Sequence, residues 1–169
     1  GGAIAADAST IGARLTRPER FVGTHWFNPP HVVPVVEVVY SETTDEATVK
    51  SVYDRLERAG KTPVVVRKDV PGYIGNRIQT AMANEAWALL NEGVASAEDI
   101  DRAVKGTFGF RLPTMGIFEK GDHSGLDIHH KVLKELLPEV DRSTEPPEVL
   151  SELVEEGRYG LKTGKGVYD

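Results

Sequence analysis

A histidine and a glutamate interrupt a stretch that otherwise has the composition of buried sheet. The stretch reads GTHWFNPPHVVPVVEVV from Gly23 to Val39, and it places His25 and Glu37 twelve residues apart. A carboxylate that accepts a hydrogen bond from one imidazole nitrogen fixes the histidine tautomer and raises its basicity, which prepares a general base. A structural histidine beside a sheet-edge glutamate is the alternative. The spacing by itself leaves both interpretations open.

The elements around this pair predict an α/β unit. The segments at 20–28 and 32–41 are rich in valine and aromatic residues and predict two strands, joined through prolines by an irregular connection. Helical spacing follows over 43–60, and a third short strand is predicted at 62–69. Strand, helix and strand in this order indicate a crossover unit in a partly parallel sheet.

Capping residues mark where two of the helices begin. Thr43 and Glu46 have the spacing of a capping box at the start of the first helix, and Gly60 supplies its stop. Ser96 is the predicted N-cap of a later helix that ends at Gly106. From about Asn76 to the end of the chain, the pattern predicts helices and loops only.

Composition excludes several classes of function. The 169 residues include 20 Lys+Arg and 26 Asp+Glu, for a net charge of -6, and no basic cluster suggests a nucleic-acid partner. No apolar run approaches the roughly 20 residues of a membrane span. The chain has no cysteine, which rules out disulfides and is consistent with a cytoplasmic location. His129 and His130 are adjacent on a helix and cannot share a face, so no metal site is predicted.

Four segments of the sequence together carry a family resemblance. They read RPERFVGTHWFNPPHVVPVVEVV, KDVPGYIGNRIQTAMANEAWALLNEGVASAEDID, GIFEKGDHSGLDI and GLKTGKGVYD. In this order they resemble segments of the 3-hydroxyacyl-CoA dehydrogenase family. The resemblance implies the end of a Rossmann-type α/β domain over residues 1–72, followed over 73–169 by an all-α domain that binds substrate and forms a homodimer. No G-x-G-x-x-G motif occurs. The resemblance therefore implies that the glycine-rich NAD-binding half is missing, precedes residue 1, and leaves this chain inactive alone.

The resemblance also implies a reaction and its residues. The reaction is the oxidation of L-3-hydroxyacyl-CoA to 3-ketoacyl-CoA with NAD, as in fatty acid beta-oxidation. His25 would remove the hydroxyl proton, Glu37 would stabilise the imidazolium, and Asn76 would hydrogen-bond the substrate near the reacting carbon. A substrate-binding serine of the family lies in an N-T-S segment. The segment IAADAST resembles it loosely, which would make that residue Ser9.

Two other functions stay open. The segment NPPHVVPVVEVV is also similar to relatives that act on small polar hydroxy acids, such as gulonate and carnitine dehydrogenases. A chain that folds and dimerises through its helices without turning over a substrate is the third interpretation.

Overall fold

The computed structural model describes residues 8–168, and the chain divides into two compact units after Gln79. Its helices and strands follow in chain order: α1 Ala8–Gly12, a short 3-10 helix Pro18–Arg20, β1 Gly23–Trp26, β2 Val35–Val39, α2 Glu46–Arg58, β3 Thr62–Val66, α3 Gly75–Asn91, α4 Ala97–Gly106, α5 Phe108–Arg111, α6 Ile117–Ser124, α7 Leu126–Leu136 and α8 Glu148–Glu155.

The first unit contains a three-stranded sheet in the order β1-β2-β3. β1 and β2 pair antiparallel, whereas β2 and β3 pair parallel through the α2 crossover. The predicted crossover unit is therefore confirmed. The observed strands are shorter than the predicted ones. The 3-10 helix takes up Arg20 at the start of the first predicted segment, and a turn and Pro34 take up the start of the second.

The central strand β2 is buried on both of its faces. Successive side chains of a strand point to opposite faces, so Val36 and Val38 share one face and pack in a cluster with Val49 and Leu56 of α2. On the opposite face, Val39 packs in a second cluster with Ala8 and Val66. Glu37 belongs to this second face by the same alternation. A carboxylate is thus placed inside an otherwise apolar layer.

The start of α2 differs from the predicted capping box. Asp45 is the N-cap, and its Oδ1 accepts a hydrogen bond of 2.6 Å from the amide of Thr48. The hydrogen bonds from Thr48 hold the pKa of Asp45 below its ordinary value. The prediction that Thr43 caps α2 was wrong, because Thr43 lies two residues before the observed N-cap, Asp45. The hydroxyl of the neighbouring Thr44 makes a different hydrogen bond, which it donates to the carbonyl of Phe21 at 2.6 Å.

The second unit consists of the helices from residue 80 onward. The prediction of Ser96 as the N-cap of α4 is confirmed, since its Oγ accepts a hydrogen bond of 3.2 Å from the amide of Asp99. Within this unit α3 holds the connection between α7 and α8 by polar contacts. Asn84 Nδ2 donates to Asp141 Oδ2 at 2.5 Å, and the Asp141 amide donates to Glu85 Oε2 at 2.8 Å. Across residues 8–168, no helix combines the length and the apolarity that a membrane crossing requires.

Candidate active site

His25 and Glu37 are direct cross-strand partners in the antiparallel pair of β1 and β2. The side chains project from the same face, and Nδ1 of His25 lies 2.6 Å from Oε2 of Glu37. A carboxylate can only accept at this position, so Nδ1 carries the proton and donates it. The second ring nitrogen, Nε2, is then the unprotonated one. The two side chains are therefore held together rather than solvated separately, an arrangement that can orient a base.

Glu37 is the most constrained member of the pair. It is 2% exposed, and its second oxygen, Oε1, accepts hydrogen bonds of 2.9 Å from the amides of Ile74 and Gly75. These amides lie at the start of α3, where backbone N–H groups have no partner within the helix. The carboxylate therefore accepts three hydrogen bonds and receives the favourable end of the helix dipole. Both oxygens are fixed, so the carboxylate cannot rotate away from His25.

The connection from β3 to α3 turns the two amides toward Glu37. Gly72 and Tyr73 are consecutive residues with positive φ, at 77° and 47°. This backbone region is open to glycine but costs an ordinary residue roughly 1–2 kcal/mol, so Tyr73 holds a strained conformation. Its ring centroid lies 5.4 Å from that of His25. The turn thus places the α3 amides beside Glu37 and the ring of Tyr73 beside His25.

Phe27 is the second aromatic neighbour of His25. The two ring centroids are 4.9 Å apart in an edge-on arrangement, and the side chain of His25 is 17% exposed. Phe27 also reaches the start of α3, where a Cβ added at Gly75 would come within 2.6 Å of its ring. The absence of a side chain at Gly75 therefore leaves room for the ring beside the histidine.

The other two predicted site residues are placed differently. Asn76 follows Gly75 directly as the second residue of α3 and is half-buried. Ser9 lies in α1, and its amide donates to Asp69 Oδ2 at 2.6 Å, while its buried Oγ has no hydrogen-bond partner. Among the described residues no hydrogen bond joins the side chain of Ser9 or of Asn76 to His25 or Glu37. The roles of Asn76 and Ser9 stay predictions.

The sequence did not predict the amides of Ile74 and Gly75, or the two aromatic neighbours. The amides lie 37 and 38 residues after Glu37, and backbone donors leave no mark in side-chain types. Phe27 follows His25 by two residues, so strand alternation places both side chains on the same face. Alternation by itself does not indicate that the two rings are in contact.

Models of known families cover nearly the whole chain. The model for the 3-hydroxyacyl-CoA dehydrogenase C-terminal domain matches residues 72–169, and the model for the NAD binding domain of the same family matches residues 5–70. The chain belongs to the 3-hydroxyacyl-CoA dehydrogenase family. The predicted family and the predicted fold class, a Rossmann-like α/β part followed by helices, are confirmed. The assignment of substrate binding and dimerisation to residues 73–169 stays a prediction.

Relatives in this family differ in their substrates. The chain is 35% identical over 170 residues to 5-formyl-3-hydroxy-2-methylpyridine 4-carboxylate 5-dehydrogenase of Mesorhizobium japonicum. This match covers 98% of this chain and 55% of that protein. It is 39% identical over 163 residues to human mitochondrial hydroxyacyl-coenzyme A dehydrogenase, covering 95% of this chain and 50% of that one. The chain thus spans about half the length of these curated relatives.

A solved structure gives the corresponding comparison of folds. The crystal structure of the 5-formyl-3-hydroxy-2-methylpyridine 4-carboxylic acid 5-dehydrogenase, described as an NAD+-dependent dismutase, superposes with a TM-score of 0.91 at 34% identity. The match covers 96% of this chain and 53% of that structure. At this similarity the two chains share their fold.

The prediction that the NAD-binding part is missing from the chain was wrong, because residues 5–70 match the NAD binding domain model. It was drawn from the lack of a G-x-G-x-x-G motif, which is one turn of that domain and not the whole of it. Within residues 8–168, neither strand-to-helix connection, at 40–45 or 67–74, has this spacing. The α3 amides are already bonded to Glu37. His25 and Glu37 can therefore serve the proton-transfer part of a dehydrogenase site, whereas neither of these two connections is a candidate for the glycine-rich turn that holds the pyrophosphate of NAD.

Proposed function

We propose that this protein is an NAD-dependent dehydrogenase that interconverts an L-3-hydroxyacyl-CoA and its 3-ketoacyl-CoA. His25 is the general base, Glu37 orients it, and Asn76 contacts the substrate near the reacting carbon. The observation that carries the proposal is the bond of 2.6 Å between Nδ1 of His25 and Oε2 of the buried Glu37. Family membership and the human hydroxyacyl-coenzyme A dehydrogenase relative support the acyl-CoA substrate.

The residues of this chain perform the proton transfer in that reaction. The Nδ1 proton is held by Glu37, so the free lone pair on Nε2 of His25 can accept the proton of the 3-hydroxyl group. The imidazolium that forms lies against an ionised carboxylate, which stabilises its positive charge. NAD, when bound, would supply the acceptor for the hydride that leaves C3. In the reverse direction, the imidazolium returns its proton to the oxygen of the ketone.

The test is turnover of acetoacetyl-CoA with NADH by the protein and by two histidine variants. His25→Ala should reduce kcat by roughly 10²- to 10⁴-fold, the usual contribution of a positioned base. His130→Ala is the matched control, because His130 is exposed on α7 in the second unit. Equal activity of the two variants would return His25 to a structural role.

A small polar substrate is the second candidate function. It is favoured by the similarity to the pyridine carboxylate dehydrogenase, with a TM-score of 0.91 at 34% identity. Like the alternative predicted from the sequence, a small polar hydroxy acid of the gulonate or carnitine type, the substrate in that relative's name is a small polar molecule and not an acyl-CoA. The His25–Glu37 pair would serve either hydroxyl substrate, because in both cases the base takes the proton of the hydroxyl group whose carbon loses the hydride. Comparing kcat/KM for acetoacetyl-CoA, the pyridine carboxylate and small keto acids separates the two candidates.

We also infer that the protein is a homodimer through its helical part. In the described part of the second unit, no large hydrophobic side chain is buried, whereas Phe110 is 81% and Phe118 is 85% exposed. Exposed apolar area on this scale marks an interface. A second copy of the chain would cover it symmetrically. If neither substrate class were turned over, the non-catalytic dimerisation module would be the remaining interpretation. The cytoplasmic location stays a prediction.

A further inference from the structure

The connection between the two strands of the catalytic pair contains few groups that could hold it in place. It comprises residues 27–34, here termed the proline loop, and Pro29, Pro30 and Pro34 have no amide proton to donate. Its own backbone contributes a turn in which the amides of Val32 and Val33 donate to the carbonyl of Pro29, at 3.0 Å each. The loop therefore needs donors from elsewhere.

Lys61 and its neighbour supply those donors. The ammonium of Lys61 donates to the carbonyl of Pro30 at 2.6 Å and to the carbonyl of Val33 at 3.1 Å. The amide of Thr62, at the start of β3, donates to the carbonyl of Pro34 at 2.9 Å. Three carbonyls of the proline loop are thus bound by two consecutive residues outside it. Hydrogen bonds from a charged donor are about twice as strong as neutral ones.

Lys61 is itself firmly placed. Its amide donates to the carbonyl of Leu56 at 3.0 Å, at the end of α2. Its Nζ lies 5.7 Å from the ring centroid of Trp26, within the range of a cation–π interaction. The side chain is half-buried and forms none of the ion pairs found in the described structure. Its charge is directed at the loop and the indole rather than at a carboxylate.

The proline loop begins next to the His25–Glu37 pair. His25 pairs with Glu37, Trp26 pairs with Val36, and the strands separate after that. Phe27, the first residue of the loop, packs edge-on against His25 at 4.9 Å. A loop released at Pro30 and Val33 would leave Phe27 and the end of β1 free to move. The imidazole of His25 would then lose one of the two aromatic rings that pack against it.

We propose that Lys61 is a positioning residue, whose ammonium anchors the proline loop and thereby holds Phe27 and His25 in the catalytic geometry. The effect on catalysis rests on the proposed function of His25, whereas the anchoring of the loop does not. Lys61 acts through the loop and is not a catalytic residue itself. Small displacements of a catalytic group reduce the rate strongly, since about 1 Å can cost roughly a hundredfold.

The experiment compares Lys61→Met, which keeps the stem and removes the donors, with Lys61→Arg, which keeps charge and donors. Lys68→Met is the matched control, because Lys68 is exposed in the same unit. The first readout is fluorine NMR of protein labelled with fluorotryptophan, in which Trp26 and Trp87 are assigned by Trp87→Phe. Lys61→Met should shift and broaden the Trp26 signal, whereas Lys61→Arg and Lys68→Met should leave it close to that of the parent.

The second readout is turnover of acetoacetyl-CoA with NADH. Lys61→Met should lower kcat by roughly ten- to a hundredfold with KM nearly unchanged, and Lys61→Arg should recover most of the loss. A Trp26 signal and a kcat equal to those of Lys68→Met would overturn the proposal. A shifted Trp26 signal with an unchanged kcat would overturn it as well, because release of the loop would then have no effect on His25.

Two further measurements keep the test decisive. If the parent protein turns over no substrate, nitrogen–proton NMR of the His25 ring replaces kcat. The Nδ1–H tautomer should then dominate in the parent and Lys68→Met and give way to a mixture in Lys61→Met; an unchanged ring spectrum would refute the proposal. If Lys61→Met does not fold, Lys61→Gln, which retains one neutral donor, takes its place with the same expected direction.

Discussion

Glu37 binds His25 with one carboxylate oxygen and the start of α3 with the other. The distances are 2.6 Å from Oε2 to Nδ1 of His25 and 2.9 Å from Oε1 to the amides of Ile74 and Gly75. One buried side chain therefore orients the proposed base and also caps the helix that carries Asn76. The geometry of the base and the position of that helix depend on the same carboxylate.

Replacing Glu37 by glutamine should weaken both the orientation of His25 and the cap at the start of α3. Glutamine has the same shape but presents one NH₂ group, so either His25 must change to the tautomer protonated on Nε2, which cannot accept the substrate proton, or the two α3 amides must face a donor. A buried donor without an acceptor costs about 1–3 kcal/mol. We expect a loss of unfolding free energy of this size in urea titrations, and a fall in kcat of roughly 10²- to 10⁴-fold.

Glu42→Gln is the matched control for Glu37→Gln, because Glu42 is exposed five residues later in the chain. It should change neither the unfolding free energy nor kcat by a measurable amount. Equal behaviour of the two glutamine variants would show that the triple hydrogen bond of Glu37 is dispensable.

The cap of α2 provides a second prediction, with a defined pH dependence. Asp45→Ala should lower the melting temperature, whereas Thr43→Ala should not, because Asp45 accepts the bond from the amide of Thr48. The pKa of Asp45 is lowered by the hydrogen bonds from Thr48. The stabilisation is therefore fully present above the ordinary value of 3.8 and is lost as the pH falls through the lower value of the folded state.

Thermal unfolding followed by circular dichroism from neutral pH down to about pH 3 tests this sign. The difference between the parent and Asp45→Ala should narrow at the acidic end. A larger loss from Thr43→Ala at neutral pH would restore the capping box that the sequence suggested.

Strand alternation and element order were sufficient to predict the sheet. They left the pairing of His25 with Glu37 open, and the family resemblance favoured it. Valine-rich segments on either side of the prolines indicated two adjacent strands, and the helical spacing that follows indicated a parallel crossover. These features depend on neighbours close in sequence, where the periodicity of side chains carries the information. The confirmed N-cap at Ser96 is of the same kind.

Contacts that involve the backbone or that compete for one side chain were not predictable. The amides that bind Glu37 belong to residues 74 and 75, and any residue except proline could supply them. The wrong cap at Thr43 shows the second case. Thr43 and Glu46 have the spacing of a capping box, but Asp45 lies directly before the first turn and caps it instead. The hydroxyl of Thr44 binds the carbonyl of Phe21. Only the tertiary structure decides between such candidates.

Two glycines three residues apart should respond to alanine in opposite ways. A Cβ at Gly109 would lie 2.6 Å from the carbonyl oxygen of Val104, and a backbone atom cannot move aside as the end of a side chain can. Gly109→Ala should therefore destabilise the second unit by about 1–3 kcal/mol. Gly106 ends α4 with no atom within 4 Å of an added Cβ.

Gly106→Ala should be neutral or stabilise the protein by up to about 1 kcal/mol, since alanine restricts the unfolded chain. Urea unfolding of both variants measures the contrast. Similar unfolding free energies for the two would mean that the second unit relaxes around Val104 without cost.

The exposed aromatic side chains of the second unit provide the last prediction. Phe118 is 85% exposed, which a monomer would leave in contact with water, so we expect a dimer that covers it. Sedimentation equilibrium should give twice the mass of the chain. Phe118→Glu should shift the equilibrium toward the monomer, because a charge at a covered position must lose its hydration. Val32→Glu is the control, since Val32 is a 66% exposed apolar residue of the first unit. It should remain dimeric, and a monomeric Val32→Glu with a dimeric Phe118→Glu would place the interface in the first unit instead.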